Sequence, residues 1–403
     1  QESYLIDNVG GAMFGFDSSS IHLSGGSGNW IHGNTNTGIE LYDSAANLIG
    51  GTQPGEGNRG GFVIQIDRSN DNVVVGNVCS RVRVLGWVGG GMPATNNRIG
   101  GPSLAERNVI TGFATYNSEG APGGFAIQIF DATGTVIENN WIGTTADGLA
   151  AGHRGTTAGI SFEGNHHDTI VRDNLIAGIL GEGIGPHYAG WHFGSAISVY
   201  GEGSGVTIQG NTIGLDALSR PLLGSVAGIT MANYYLGPVR DVLIGGDAPG
   251  EGNEIAGHLT AGVSVGNSFV DVRISGNSIH DNAGLGIDLI PPSFQTGVTP
   301  NDPLDVDLGA NGLQNFPVIT EALRLSNGGV EVRGTLDSAP SRSYAVEFFA
   351  NPSCDPSGNG EGNLFLGGTT VSTDAGASSA FNWSSSVPVP SGIEPVIATT
   401  RGS

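Results

Sequence analysis

Gly33-Asn34-Thr35-Asn36-Thr37-Gly38-Ile39-Glu40-Leu41-Tyr42-Asp43-Ser44-Ala45-Ala46-Asn47-Leu48-Ile49-Gly50-Gly51 holds the whole phrase from which this chain is built. It joins an Asn-rich turn, a Gly-Ile-x-Leu strand and a short apolar stretch ending in Ile-Gly. The ending returns at Ile99-Gly100-Gly101, Ile142-Gly143, Ile213-Gly214 and Ile244-Gly245-Gly246. The strand returns at Gly159-Ile160-Ser161-Phe162, Gly228-Ile229-Thr230-Met231, Gly262-Val263-Ser264-Val265 and Gly286-Ile287-Asp288-Leu289. An imperfect repeat without helical periodicity between copies is the pattern of a solenoid, whose coils bury their apolar sides only by stacking.

Between about residues 20 and 290 the strands alternate apolar and polar residues, as one-side-buried strands do. This parity predicts Ile39, Leu41, Ile64, Ile66, Ile127, Ile129, Ile160, Phe162, Ile197 and Val199 inside. Glu40, Tyr42, Gln65, Asp67, Gln128, Phe130, Ser161, Glu163, Ser198 and Tyr200 are predicted outside. Asn and Gly cluster at the corners, as in Gly33-Asn34, Gly57-Asn58, Gly76-Asn77, Asn139-Asn140, Gly210-Asn211, Gly252-Asn253 and Gly276-Asn277. Both tolerate positive φ, and stacked Asn side chains hydrogen-bond from coil to coil. The expected fold is therefore all-β: a right-handed, single-stranded parallel β-helix. Segments 86–97, 114–123 and 180–194 exceed a minimal coil and are expected to bulge as loops, where binding sites are usually built.

Composition changes near Pro291-Pro292. After an Asp/Asn-rich link come Val330-Glu331-Val332-Arg333 and Tyr344-Ala345-Val346-Glu347-Phe348-Phe349, separated by turn residues. We therefore divide the chain into a β-helix domain over 1–315 and a small antiparallel β-sandwich-like domain over 316–403. With Asn311-Gly312-Leu313-Gln314-Asn315-Phe316-Pro317, the Gly-Glu-Gly-Asn corners and Phe348-Phe349-Ala350-Asn351 leading to Cys354-Asp355-Pro356, the sequence resembles bacterial secreted parallel β-helix repeat proteins of the pectin-lyase-like superfamily. That resemblance implies the architecture and a polysaccharide as partner. It spans pectinases, lyases, epimerases, tailspikes and adhesins, so it does not choose an activity.

The 403 residues include 70 glycines, 38% hydrophobic residues and a formal charge of −22. All 15 basic residues are arginines, so no lysine is available as base or Schiff-base amine. Such acidity disfavours nucleic acid and anionic membranes as partners. No apolar run is long enough for a membrane helix. Acidity and architecture point to a secreted or cell-surface protein, with oligomeric state left open. Cys79 and Cys354 fall in different domains, which argues against a disulfide.

Outward residues of successive coils form ladders about 4.8 Å per rung. One reads Glu40, Gln65, Gln128, Ser161, Ser198, Thr230, Ser264, Asp288; its neighbour reads Tyr42, Asp67, Phe130, Glu163, Tyr200, with Trp87 expected nearby. Rings among carboxylates and amides suit a sugar chain. Cutting a glycosidic bond needs a protonated and an ionised carboxyl, and Glu163, Asp67, Glu40 and Asp131 are the candidates. Glu163, followed by His166-His167-Asp168, is the first choice. Gly185-Pro186-His187-Tyr188-Ala189-Gly190-Trp191-His192-Phe193 is expected to overhang this face. His187, His192, Tyr188, Arg154 and Arg172 offer a set for β-elimination of a uronate, and Trp191 a stacking ring. Hydrolase, lyase and non-catalytic surface protein thus remain alternatives. Zinc ligation by the histidines lacks compact spacing. Asp302, Asp305, Asp307 and Asn311 offer hard oxygens for a structural Ca2+ at the domain junction, and no other cofactor is expected.

Overall fold

The computed structural model describes residues 5–7, 13–16, 20–87, 91–112, 124–152, 156–179, 194–222, 225–232, 239–353, 359–385, 388–390 and 396–402. One coil shows the plan: Gly124–Phe130, then Ala132–Thr133, Val136–Glu138 and Trp141–Ile142, before Thr156–Glu163 opens the next. Stacked coils align these strands into parallel sheets, of which the broadest runs from Ser20–Ser24 to Ile287–Leu289. Two early strands pair antiparallel instead, Leu5–Asp7 with Trp30–His32 and Met13–Phe16 with Ser20–Ser24. The fold is a parallel β-helix followed by antiparallel sheets.

The alternation decides what faces inward. Ile39, Leu41, Ile64, Ile66, Ile127, Ile129, Ile160, Phe162, Ile197 and Val199 are fully buried in one continuous core. Each contributes on the order of 1.5–3 kcal/mol on leaving water. The outward prediction needs correcting at Gln128, Ser161, Ser198 and Asp288, which are buried although their strand parity places them on the outer face. Arg81, Arg83 and Glu163 all bond to the Gln128 side chain and cover it.

The Asn corners form a spine. Nδ2 of each residue donates to Oδ1 of the next along Asn34, Asn58, Asn77, Asn108, Asn140, Asn174, Asn211, Asn253 and Asn277, at 2.8–3.0 Å. A shorter spine links Asn29, Asn47, Asn72 and Asn97. The repeated Ile-Gly ending has a steric cause: Gly100 has φ +86°, and a Cβ there would lie 1.9 Å from the Glu138 carbonyl oxygen. Gly50 stands likewise against the Val75 carbonyl.

Of the expected loops, 86–97 is pinched by paired backbone hydrogen bonds between Trp87 and Met92. The expected loops over 114–123 and 180–194 lie, apart from Gly194, outside the described residues. Cys79 is buried and free, its thiol pushed up to about 12 by burial; Cys354 lies outside the described residues. No described helix is long and apolar enough to cross a membrane.

Sheet type changes between Ile287–Leu289 and Val318–Arg324. Beyond, Val318–Arg324, Val330–Asp337 and Ser378–Ser384 form one antiparallel sheet, and Leu364–Ser372, Ser343–Ala350 and Val396–Gly402 another. Their own core stacks Phe348 on Trp383 at 4.4 Å. This unit closes the open edge of the last coil. Glu361 accepts from the backbone N–H and Nδ2 of Asn282 at 3.0 and 2.7 Å, and Glu347 accepts from the Gly276 N–H at 3.0 Å. Glu361 thus takes the place of the side-chain acceptor that Asn282 itself provides for the His258 N–H, and Glu347 replaces the backbone carbonyl that Gly33 and Gly210 find in the next coil.

Candidate functional site

Strand register sets one polar column on the outer face of the broadest sheet: His22, Glu40, Gln65, Arg83, Gln128, Ser161, Ser198, Thr230, Ser264 and Asp288. Beside it run Tyr42, Asp67, Leu85, Phe130 and Glu163. His22, Arg81, Arg83 and Leu85 were not picked out from sequence. Arg81-Val82-Arg83-Val84-Leu85 carries the same alternation as its neighbours, and that parity was the available signal.

From His22 to Ser161 the column and its neighbour form one hydrogen-bonded network, whereas Ser198 Oγ and Asp288 Oδ1 are buried without a partner among the described residues. His22 Nδ1 lies 3.0 Å from Glu40 Oε2, which also accepts from the Tyr42 hydroxyl at 3.2 Å. Gln65 Nε2 donates to that hydroxyl at 3.4 Å. Arg83 donates through Nη1 to Gln65 Oε1 at 2.9 Å and through Nε to Gln128 Oε1 at 3.0 Å. Arg81 Nη2 donates to the same Gln128 oxygen at 2.9 Å. With its oxygen held by two cations, Gln128 turns Nε2 to Glu163 Oε2 at 2.9 Å, while the Ser161 hydroxyl donates to Glu163 Oε1 at 2.8 Å.

Asp67 differs from the other acids. Its carboxyl makes no hydrogen bond among the described residues, and burial pushes its pKa up, opposed by the nearby charges of Arg68 and Arg83. It stands one strand over and two residues along from Glu40. Sheet geometry makes that a diagonal of about 8 Å. Glu163 shares a column with Asp67 but is three rungs away, roughly 14 Å.

Other predicted residues fall elsewhere. Asp131 has φ 51°, which rotates it out of the strand alternation; it is buried and accepts from the Asn165 N–H at 2.8 Å, closing a corner. His166 does not support Glu163: it points into the core beside Phe162, its pKa lowered to about 4 by burial. Arg172 lies on a different sheet, its Nε bonded to Glu138 at 2.9 Å. Phe130 and Trp87 are exposed; Tyr42 and Tyr200 are half-buried. Arg154, His187, Tyr188, Trp191 and His192 lie outside the described residues.

At the domain junction, carboxylate oxygens of Asp302, Asp305 and Asp307 converge within 4.8 Å of one another. Oδ1 of Asp302 and of Asp307 are sealed from solvent without a hydrogen-bond partner. Burial, with Asp302 and Asp305 beside it, pushes the Asp307 pKa up. Asn311 does not join them: it takes a left-handed turn and clamps Val272, accepting from its N–H at 3.0 Å and donating to its carbonyl at 2.7 Å.

No protein-family model matches this sequence, and no curated protein matches it. Among solved structures the chain is similar to PfbA, a surface adhesin of Streptococcus pneumoniae, at 11% identity and TM-score 0.35, over 70% of this chain and 74% of that one. It is also similar to the thermostable pectate lyase PL 47, at 10% identity and TM-score 0.23, over 66% and 59% of the two chains. A third similarity is to the enzymatically active domain of bacteriophage CBA120 tailspike protein 4, at 12% identity and TM-score 0.24, over 91% and 55%. Values this low lend this chain none of the three activities.

Proposed function

We propose that this is a secreted or cell-surface carbohydrate-active protein that lays a polysaccharide along its broadest sheet and hydrolyses a glycosidic bond between Asp67 and Glu40. The observation carrying this reading is that Glu40 and Asp67 face the same side on neighbouring strands, their backbones a diagonal of about 8 Å apart, from which two carboxyls can reach opposite sides of one glycosidic bond. Their environments differ as the two roles require. Asp67, desolvated and without a hydrogen bond, favours the protonated form and serves as proton donor to the leaving oxygen. Glu40, its Oε2 held by His22 and Tyr42, serves as the second carboxyl. Phe130 and Trp87 offer rings for sugar faces, while Glu163, both oxygens engaged, positions hydroxyls rather than reacting.

A panel of neutral and acidic polysaccharides, followed by new reducing ends, tests this. Asp67→Asn or Glu40→Gln is expected to lower the rate by about 10²-fold or more. Full activity in both variants would remove the pair from the mechanism. Ultraviolet absorbance of an unsaturated product would transfer the case to a lyase. A structural Ca2+ at Asp302, Asp305 and Asp307 belongs to the same reading, supported by the two sealed, unpartnered oxygens.

A further inference from the structure

Seven arginines of this acidic chain are matched to carboxylates among the described residues, Arg240 with Asp271 being one. Arg68 pairs with Asp43, Arg98 and Arg172 with Glu138, Arg220 with Asp216, Arg273 with Asp247, and Arg333 with Glu321 and Glu331. Arg83 is not. Its bonds go to the amide oxygens of Gln65 and Gln128, which leave its charge intact, and it makes no ion pair among the described residues. Arg81 sits two residues earlier on the same face and donates to the same Gln128 oxygen. Two guanidinium groups therefore converge on one oxygen, although like charges held this close repel. Burial, reinforced by Arg83, lowers Arg81 to about 10, while Glu163 opposes this more weakly. The Phe125 ring lies 5.7 Å beneath the Arg81 guanidinium and fixes it against the sheet.

We propose that Arg81 and Arg83 form a subsite for an anionic substituent, a carboxylate or sulfate, on the sugar one rung from the Asp67–Glu40 pair. This names the substrate class of the site proposed above, and rests on that reading for its location. Asp67 stands diagonally between Glu40 on one flank and Arg83 on the other. A sugar bridging the reacting bond thus places its neighbour over the arginines. Guanidinium forks match planar or tetrahedral oxyanions in bidentate geometry, whereas a neutral hydroxyl neutralises neither charge. Neutral Gln spacers hold Arg83 in place without quenching it, which a purely structural cation would not need.

The test uses the whole chain and three polymers of one backbone: dextran, carboxymethyl dextran and dextran sulfate. Binding is measured by calorimetry at two salt concentrations. At least one charged polymer is expected to bind ten-fold or more tightly than dextran, despite the net charge of −22. Arg83→Gln should remove that margin and flatten the salt dependence, Arg83→Lys should restore part of it, and Arg333→Gln, the same charge change far from the face, should not affect it. Preference for the carboxymethyl polymer identifies a uronate-type ligand, preference for the sulfated polymer a sulfate ester, and each supports the subsite. Equal binding of all three polymers, no binding of either charged one, or an unaltered Arg83→Gln overturns it. Asp67→Asn separates the two ideas: it should bind normally without cleaving. Normal cleavage by that variant would remove the catalytic reading and leave the anion subsite standing.

Discussion

Replacing Asn140 by Ala tests whether the Asn spine holds the solenoid together. Its Oδ1 accepts from the Asn108 N–H and Nδ2 at 3.2 and 2.9 Å. Its Nδ2 donates to Asn174 Oδ1 and to the carbonyls of Ile99 and Glu138 at 2.9–3.0 Å. The side chain is fully buried, so water does not replace these bonds. Truncation orphans the Asn108 N–H, at about 1–3 kcal/mol for a buried donor. Weakened satisfaction of two carbonyls and Asn174 adds a comparable amount, giving a loss of about 3–5 kcal/mol. Asn140→Asp is nearly isosteric and keeps the acceptor for Asn108. It sets a second oxygen against three acceptors, so it should lose a similar amount at neutral pH and recover part in acid, where a protonated carboxyl donates again. Urea unfolding followed by circular dichroism at both pH values measures this, with hydrogen exchange over 97–112 locating the loss. A loss below about 1 kcal/mol for Asn140→Ala, or no acid recovery for Asn140→Asp, would refute the view that the spine is energetically important.

Three further outcomes follow from charges. If Asp67 is the proton donor, burial pushes its carboxyl pKa up and hydrolysis should fall as pH rises through the folded-state pKa; Asp67→Asn should abolish this limb of the rate profile. His280 is raised chiefly by the Glu254 carboxylate, 3.7 Å from its Nε2, with burial opposing and the 2.8 Å contact to Asp281 adding to the rise. Its contribution to stability is therefore fully present below about 6.5 and lost as pH rises through the folded-state value, so melting temperatures of wild type and His280→Gln should converge at alkaline pH. Added Ca2+ should raise the melting temperature of the wild type by several degrees and leave Asp307→Asn unmoved; equal shifts in both would remove the cation from that cluster.

The fold was legible because its two determinants are local and repeated. Alternation assigned Ile39, Ile64 and Ile160 to the core, and the Gly-Asn corners marked many of the turns, since Gly33, Gly76, Gly210 and Gly276 take positive φ there and the Asn side chains stack from coil to coil. The spine was only partly visible: Asn108 and Asn174 follow Arg107 and Asp173 rather than Gly, so a Gly-Asn pattern passes over them. The site was less legible for a related reason. A ladder read from Gly-Ile-x-Ile strands skips Arg81–Leu85, which lacks the leading glycine, and with it the cations that organise Gln65, Gln128 and Glu163. Asp131 leaves the outer face because it sits at a corner, where its own left-handed conformation reverses the parity that assigns a side chain to a face.

Spine and face are coupled through the coils they share. Gln65 and Asn77 belong to one coil, Arg83 and Asn108 to the next, Gln128 and Asn140 to the third. The bonds from Asn77 to Asn108 and from Asn108 to Asn140, at 3.0 and 2.9 Å, fix the rise between the coils whose opposite edges clamp Arg83 between two amides. The Gln128 oxygen that both Arg81 and Arg83 share would withdraw if that rise relaxed, so spine rigidity is what keeps the anion subsite preorganised. Asn108→Ala should therefore weaken binding of the charged polymer several-fold under conditions where the chain is still folded. Asn253→Ala, four rungs away in an equivalent bonding pattern, should cost similar stability and leave binding unchanged, because solenoid coils couple mainly to their neighbours. Equal effects of the two variants on binding would mean that the face depends on global stability alone, and that the local spine does not set the Arg83 geometry.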